Sequence, residues 1–313
     1  MSLLFSISGW DVETWAAHFR RRAPQYDLQT GPFAEDPARV DYALVWKPPH
    51  GALKQLPNLK VIFSLGAGVD HILSDPELPD VPIVRVVDPD LTGRMTEWAV
   101  FHVLLHHRRH LMLAEAQTRH EWASFTQPAA RDVRVGIMGL GVLGADAGQA
   151  LARLGFQVAG WSRGKKAVEG VETFHGADGL GAFLVRTDIL VSLLPLTPDT
   201  RGILNADLFK QLARDGAMPG PVLINAGRGE TQREDDILAA LANGTLHAAS
   251  LDVFSTEPLP ADHPLWDHPR VVISPHNAAD SDPDRLSGYV LDQIASFEAG
   301  RGLTNVIDRT AGY

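Results

Sequence analysis

The sequence predicts an α/β fold of two doubly wound domains, each built on a parallel sheet. Short runs rich in Val, Ile and Leu alternate with longer segments of helical period, which is the pattern of parallel α/β units. The runs are too many for one ordinary sheet, and one of them leads directly into a glycine-rich turn, GLGVLG, followed by an amphipathic helix.

Taken in order, strands are expected at Leu3–Ser8, Tyr42–Trp46, Lys60–Leu65 and Ile83–Val87, and then at Val133–Met138, Gln157–Trp161, Asp188–Leu194, Val222–Asn225, Ala248–Val253 and Val271–Ser274. Between the two groups lies Met95–Arg119, expected as one long connecting helix, followed by the polar, Pro-containing stretch Ser124–Arg131. A domain boundary is placed near Trp98. The run Arg20–Arg22 reads as the solvated C-terminal end of the first helix, where cations complement the helix dipole. No internal repeat or low-complexity tract interrupts the pattern.

Composition removes whole classes of function. With 313 residues, 45% hydrophobic and 21% charged, the chain can bury two cores. A formal net charge of −10 argues against a general binder of nucleic acid or anionic membrane, so any anion site must be local. The absence of cysteine excludes a disulfide scaffold, a thiol nucleophile and cysteine-ligated zinc or iron–sulfur clusters, and it fits a reducing cytoplasm. The N-terminal MSLLFSISGWDVE lacks the length and basic flank of a signal peptide, and no apolar run reaches the ~18 residues of a membrane span.

GLGVLG matches G-x-G-x-x-G between an expected strand and an expected helix. Gly139 permits the tight turn, Gly141 lets the backbone approach a pyrophosphate and Gly144 lets the helix pack on the strand, with Val142 and Leu143 at the helix start facing the phosphates. A dinucleotide is the expected ligand. About 20 residues on, where an acid would bind the ribose hydroxyls of NAD, the chain instead reads WSRGKK. Ser162 and Arg163, with Lys165 and Lys166 nearby, suit the extra 2′-phosphate of NADP, making NADP(H) the preferred cofactor with NAD(H) possible. A solvated basic loop is the plainer alternative. A G-x-x-x-x-G-K-[ST] phosphate loop is not available, because Ala159 stands at its first glycine and Lys166 follows Lys165.

Three polar side chains follow later strands: Arg228 in INAGRGE, Glu257 in LDVFSTEPLP and His276 in ISPHNAA. Together with LGAGVD, GLGVLG, LLPLTPDT and the terminal RTAGY, these stretches resemble the D-2-hydroxyacid dehydrogenases over essentially the whole chain. ALVWKPP at Ala43–Pro49, the WSR strand end and the final AGY look most like the family's bacterial branch of glyoxylate/hydroxypyruvate reductases.

That resemblance implies a reduction of small 2-keto acids by hydride from the nicotinamide. His276 resembles the general acid, with Glu257 holding its imidazole and favouring the protonated form. Arg228 would bind the substrate carboxylate and polarise the carbonyl with its planar fork. The backbone amides of Ala67, Gly68 and Val69 would receive the same carboxylate, and Trp46 would lie at the small-acid pocket, a plain core residue being the alternative. Asp252 resembles the acceptor for the nicotinamide amide, while Leu194, Pro195, Thr197 and Ala226 line the nucleotide. The family's usual Val-Asp after the Arg-Gly pair is absent, Gln232 and Arg233 standing roughly there.

The implied architecture is a Rossmann nucleotide domain, residues 99–282, inserted into a flavodoxin-like substrate domain made of residues 1–98 and 283–313, with the active site in the cleft between them. It also implies a homodimer, with Met112–Pro128 contributing to the contact and Trp122 serving interface packing rather than substrate. Nothing in the sequence points to a metal: His102, His106 and His110 recur every fourth residue but stand beside Arg108 and Arg109 without a carboxylate cluster, and read as structural or interface histidines. HEWAS lacks the second histidine of a zinc protease motif, and no G-x-S-x-G elbow precedes a helix. The rival function from another class is a dinucleotide-sensing binding module on the same fold.

Overall fold

Leu3, Leu4 and Phe5 are completely buried, and around them the first sheet is built. The chain runs β1 (Ser2–Ile7), α1 (Val12–Arg22), β2 (Asp27–Thr30), β3 (Val40–Trp46), β4 (Val61–Ser64), α2 (Asp70–Leu73) and β5 (Ile83–Val84). The five strands pair in the order β2-β1-β3-β4-β5, every pair parallel, which is the flavodoxin-like order. The coordinates are a computed structural model that describes residues 1–310 and 312; of the terminal AGY triplet, Ala311 and Tyr313 lie outside the described residues.

The second sheet follows α3 (Pro89–His107) and α4 (His110–Thr118). Its elements are β6 (Arg134–Met138), α5 (Val142–Arg153), β7 (Gln157–Ser162), β8 (Glu172–His175), α6 (Gly176–Leu184), β9 (Ile189–Ser192), α7 (Ala206–Gln211), β10 (Val222–Asn225), α8 (Glu234–Ala242), β11 (Ala248–Leu251) and β12 (Val271–Ile273). Seven strands pair in parallel in the order β12-β11-β10-β9-β6-β7-β8. Side chains of β9 and β10 are buried throughout, as sheets covered on both faces require. Finally α9 (Pro283–Glu298), capped by Asp282, returns to the first sheet, where Asp284 receives Arg22 Nε at 2.9 Å. Arg20 likewise donates to Glu13 at 2.8 Å, so two cations of the basic helix end have carboxylate partners rather than solvent alone.

The chain divides into two compact units, Met1–Leu91 with Asp280–Tyr313, and Thr92–Ala279. The first division falls before the expected Trp98, because Met95, Trp98 and Ala99 pack among side chains of the second unit such as Ala226, Ala278 and Ile137. The second falls before Pro283, where Ser281 Oγ donates to Leu65 O at 3.2 Å. No helix among the described residues is long and apolar enough to cross a membrane.

Three local expectations are corrected. The strands β2 (DLQT) and β8 (ETFH) were not expected; both are edge strands, half-exposed and poor in β-branched apolar residues, and they form because a buried neighbour offers them its unpaired edge. The single helix expected over Met95–Arg119 is two, broken where Arg109 takes a left-handed φ of 53° and lays its guanidinium over the Phe125 ring at 5.1 Å. The helix also starts earlier, at Pro89, behind Asp88, whose carboxylate accepts from the amides of Asp90 and Leu91.

His102 and His106 of α3 both reach Ser250 Oγ of β11 at 2.8 Å, while His110 is exposed on α4. Burial depresses His102 to about 4 and His106 to about 3, so both rings are neutral and the one hydroxyl proton serves one ring while the other ring donates back. Their folded values lie below the unfolded value of 6.5. The stabilisation is therefore complete above the unfolded value and lost as pH falls toward the folded ones, with a slope of up to about 1.4 kcal/mol per pH unit for each proton taken up. Denaturant midpoints between pH 7 and 4 should fall steeply for the wild type and less steeply for a His102→Gln, His106→Gln variant; parallel curves would exclude these histidines as the cause.

Candidate active site

In the second unit every strand is parallel, so all its C-terminal ends share one edge, and the order reverses between β6 and β9, where crossovers leave to opposite sides. The loops leaving β6, β9, β10 and β11 pass one another there at backbone contact. A Cβ on Gly139 would stand 2.8 Å from Leu193 O, one on Gly227 2.5 Å from Leu194 O, and one on Gly229 1.9 Å from Phe254 C. A Cβ on Gly144 would lie 1.9 Å from Gly139 O, which is why α5 can begin so close to its strand. Over Gly141, by contrast, a Cβ would meet nothing within 4 Å.

At the end of β7, Ser162 is buried and its Oγ donates to Gly164 O at 2.9 Å, shaping the turn from which Arg163, Lys165 and Lys166 extend, all exposed. Thr173 Oγ1 of β8 donates to Lys166 O at 2.9 Å and ties down the far end of this loop. Leu143 and Ala226 belong to one small apolar cluster with Met95 and Ala278, against which Leu193 packs. Leu194 is buried, and the following turn is pinned by Thr200, whose Oγ1 donates to Pro195 O at 2.7 Å and accepts from Thr197 N at 2.8 Å.

Glu257 and His276 meet: Nδ1 of the ring and Oε2 of the carboxylate are 2.8 Å apart, and the other carboxylate oxygen accepts from Phe254 N at 3.1 Å. His276 takes a left-handed φ of 55° and donates its own amide to Asp252 O at 2.8 Å. Asp252 is 1% exposed and accepts from Ser274 Oγ at 2.6 Å and from the amides of Asn277 and Ala278, each at 3.1 Å. Burial pushes its carboxyl above the ordinary value, against the lowering effect of those hydrogen bonds and of nearby His276. Its carboxylate thus holds the loop that carries His276. Trp98 Nε1 donates to the same Ser274 Oγ at 3.3 Å, extending the chain of contacts to α3. Arg228 follows β10, half-buried, with Nη1 donating to Gly227 O at 2.8 Å and its carbonyl accepting from Thr231 Oγ1 at 2.6 Å.

The remaining expected residues lie in the first unit. Trp46 ends β3 and is 8% exposed, stacked on Trp10 at 4.7 Å and 11° and tilted against His71 at 4.6 Å. A Cβ on Gly66 would stand 2.4 Å from the Trp46 ring, so the ring lies directly against the start of the GAGVD loop. Ser64 Oγ reaches Gly66 O at 3.0 Å and Gly68 O at 3.1 Å, which folds the segment holding Ala67, Gly68 and Val69.

Residues 100–278 match the sequence profile of the D-isomer specific 2-hydroxyacid dehydrogenase NAD binding domain. Over the full length of both chains, the sequence is 42% identical to a glyoxylate/hydroxypyruvate reductase A of Serratia proteamaculans and to another of Escherichia fergusonii. The chain belongs to the D-isomer specific 2-hydroxyacid dehydrogenase family. Among solved structures, an NADPH-dependent glyoxylate/hydroxypyruvate reductase of Sinorhizobium meliloti in complex with NADP and sulfate superposes with a TM-score of 0.95 at 49% identity, covering 100% of this chain and 99% of that one. A probable 2-hydroxyacid dehydrogenase of Rhizobium etli in complex with NADP, HEPES and L(+)-tartaric acid gives 0.93 at 48%, with the same coverage. The protein is therefore an NAD(P)-dependent dehydrogenase with a Rossmann-type nucleotide-binding domain.

The residues of this dehydrogenase fit such a cofactor: the space over Gly141 is open, the first turn of α5 carries no acid, and its leading amides lack intrahelical acceptors. Sequence reasoning missed four residues that shape the site, Ser64, Thr200, Gln232 and Ser274. Each acts by binding backbone or a neighbouring amide or carboxylate, and a signal was present only for Thr200, in the turn-forming TPDT spacing, and for Gln232, in the departure from the family's usual Val-Asp.

Proposed function

We propose that this dehydrogenase reduces small 2-keto acids, glyoxylate and hydroxypyruvate among them, with NADPH as its preferred hydride donor. The observation that carries this reading is the 2.8 Å pairing of His276 with Glu257 on the same sheet edge as Arg228 and the glycine turn. Bound at that turn, the dinucleotide supplies the hydride. The carbonyl oxygen of the keto acid then gains negative charge, and His276 Nε2 delivers the proton that neutralises it. Glu257 keeps Nδ1 protonated and the ring oriented. The guanidinium of Arg228 binds the carboxylate and the carbonyl oxygen, holding the reacting carbon in place and stabilising the charge as it forms. The family resemblance also assigns the amides of Ala67, Gly68 and Val69 to the substrate carboxylate and Trp46 to the small-acid pocket. Asp252 keeps one carboxylate oxygen toward the nicotinamide amide while binding its own loop.

The NADP reading rests on what the end of β7 contains: Ser162, Arg163 and Lys165, where an NAD-specific site would place a carboxylate. The NADP held by the Sinorhizobium and Rhizobium relatives supports it. A homodimer is supported by Trp122, 97% exposed, and by Met112, 39% exposed, both within the segment the family resemblance assigns to the subunit contact.

Steady-state turnover of glyoxylate with NADPH tests the activity. His276→Gln should lower kcat by about 100-fold or more while NADPH affinity, read by fluorescence titration, stays near wild type. Glu257→Gln, which removes the carboxylate that orients the ring, should also lower kcat while NADPH affinity stays near wild type. Near-normal turnover by His276→Gln removes it from the role of acid.

Arg163→Ala should weaken NADPH and leave NADH nearly untouched. A charge-assisted contact of about 1.5 to 3 kcal/mol corresponds to about a 10- to 150-fold loss of NADPH preference. Equal losses with the two cofactors, or a wild-type preference for NADH, contradict the assignment. For the dimer, sedimentation velocity of wild type and Trp122→Asp should show a dimer shifting to monomer; a monomeric wild type at micromolar concentration refutes it.

A further inference from the structure

Gln232 stands where the resemblance to the family breaks, and it is 3% exposed. Its amide has one end on each of two neighbouring loops. Oε1 accepts from Asn225 Nδ2 at 2.9 Å, and Nε2 donates to Val253 O at 2.9 Å. We propose that Gln232 is a positioning residue that ties Arg228 to the Glu257–His276 pair, so that both keep one geometry relative to the substrate.

On the first side, Asn225 ends β10 and shapes the Arg228 turn. Its Oδ1 accepts from Gly227 N at 3.1 Å, and its Nδ2 stands 3.4 Å from Arg228 O. On the second side, Val253 joins Asp252 to Phe254, whose amide holds Glu257 Oε1 at 3.1 Å. The path from the Arg228 turn to the Glu257 carboxylate is thus Asn225, Gln232, Val253 and Phe254, and every link in it is a hydrogen bond or a peptide unit. Glu234 steadies the same turn from beyond, taking Ser255 N at 2.8 Å.

The amide meets both ends of the link, since it offers an acceptor to Asn225 and a donor to Val253 at once. An apolar side chain of equal length would fill the space but take the donor from Val253 O and leave Asn225 Nδ2 only its two longer contacts, to Arg228 O and Thr231 Oγ1 at 3.4 Å each. The Gly229 backbone lies against Phe254, so the two loops have room for small relative shifts only if this contact opens. The function of Gln232 is to hold it closed at the depth where Arg228 and His276 act.

The proposal rests on the keto-acid reduction described above, and its test separates the two. Gln232→Met keeps length and volume but removes the side-chain hydrogen bonds to Asn225, Val253 and Glu234. Gln232→Glu keeps the shape and, when protonated, offers donor and acceptor again; when ionised it offers no donor to Val253 O. For each variant, kcat, KM and the pH–rate profile with glyoxylate are compared with NADPH affinity, denaturant midpoint and the NMR chemical shifts of the His276 ring at one pH in the cofactor-free protein.

Gln232→Met should lose on the order of 10- to 100-fold in kcat/KM, as a slight misplacement of reacting groups does, with NADPH affinity changed by less than about 2-fold. Its His276 ring signals should move toward those of Glu257→Gln, and the activity of Gln232→Glu relative to wild type should recover as pH falls. A lowered denaturant midpoint with wild-type kcat/KM, pH profile and His276 ring shifts would show a core plug and overturn the proposal. Should Gln232→Met not fold, a Gln232→Glu profile parallel to wild type at every pH overturns it equally. Failure of the wild type to reduce any 2-keto acid refutes the reduction, and the NMR comparison still decides the tie.

Discussion

The loops at the C-terminal edge of the second sheet pass each other backbone against backbone, and the rest of the site depends on that packing. Gly139 lies on Leu193, Gly227 on Leu194 and Gly229 on Phe254, each so close that a single methyl carbon has no room. Four strand ends are thereby drawn into one layer. A turn that can receive a pyrophosphate, an arginine, a buried aspartate and a histidine–glutamate pair then lie on consecutive loops of that layer. Side chains on ordinary, thicker loops would be held farther apart and with more freedom.

Close packing alone does not orient polar groups, and two buried hubs do this. Asp252 gathers the hydroxyl of Ser274 and the amides of Asn277 and Ala278, which gives His276 its left-handed backbone and aims its ring at Glu257. Asn225 and Gln232 make the corresponding link between the Arg228 turn and the strand end before Glu257. Each hub is buried, so every bond it makes is enforced by the cost of leaving a polar group unpaired. In the first unit Ser64 does the same on a smaller scale, folding the GAGVD loop over a single hydroxyl while Trp46 fills the space that Gly66 leaves.

The ordering of elements was legible because central strands of parallel sheets are continuous apolar runs, as at Ile189–Ser192 and Val222–Asn225, and because GLGVLG joins a strand to a helix in a way few other turns do. Edge strands were not legible. DLQT and ETFH have no strand character of their own and pair because a neighbour supplies the edge. The break at Arg109 carries no glycine or proline; it follows from the contacts that the next segment makes, including the Phe125 ring over which the guanidinium lies.

By itself the sequence determined the parallel α/β class, the dinucleotide turn and the basic end of β7, because each is a short-range pattern whose chemistry is local. The tertiary structure decided what those residues touch. That His276 meets Glu257, that Asp252 carries the loop of His276, and that Gln232 spans from Asn225 to Val253 are contacts between segments 7 to 26 residues apart in the chain. They come together only when neighbouring strands are paired in register, and burial then makes each polar partner obligatory.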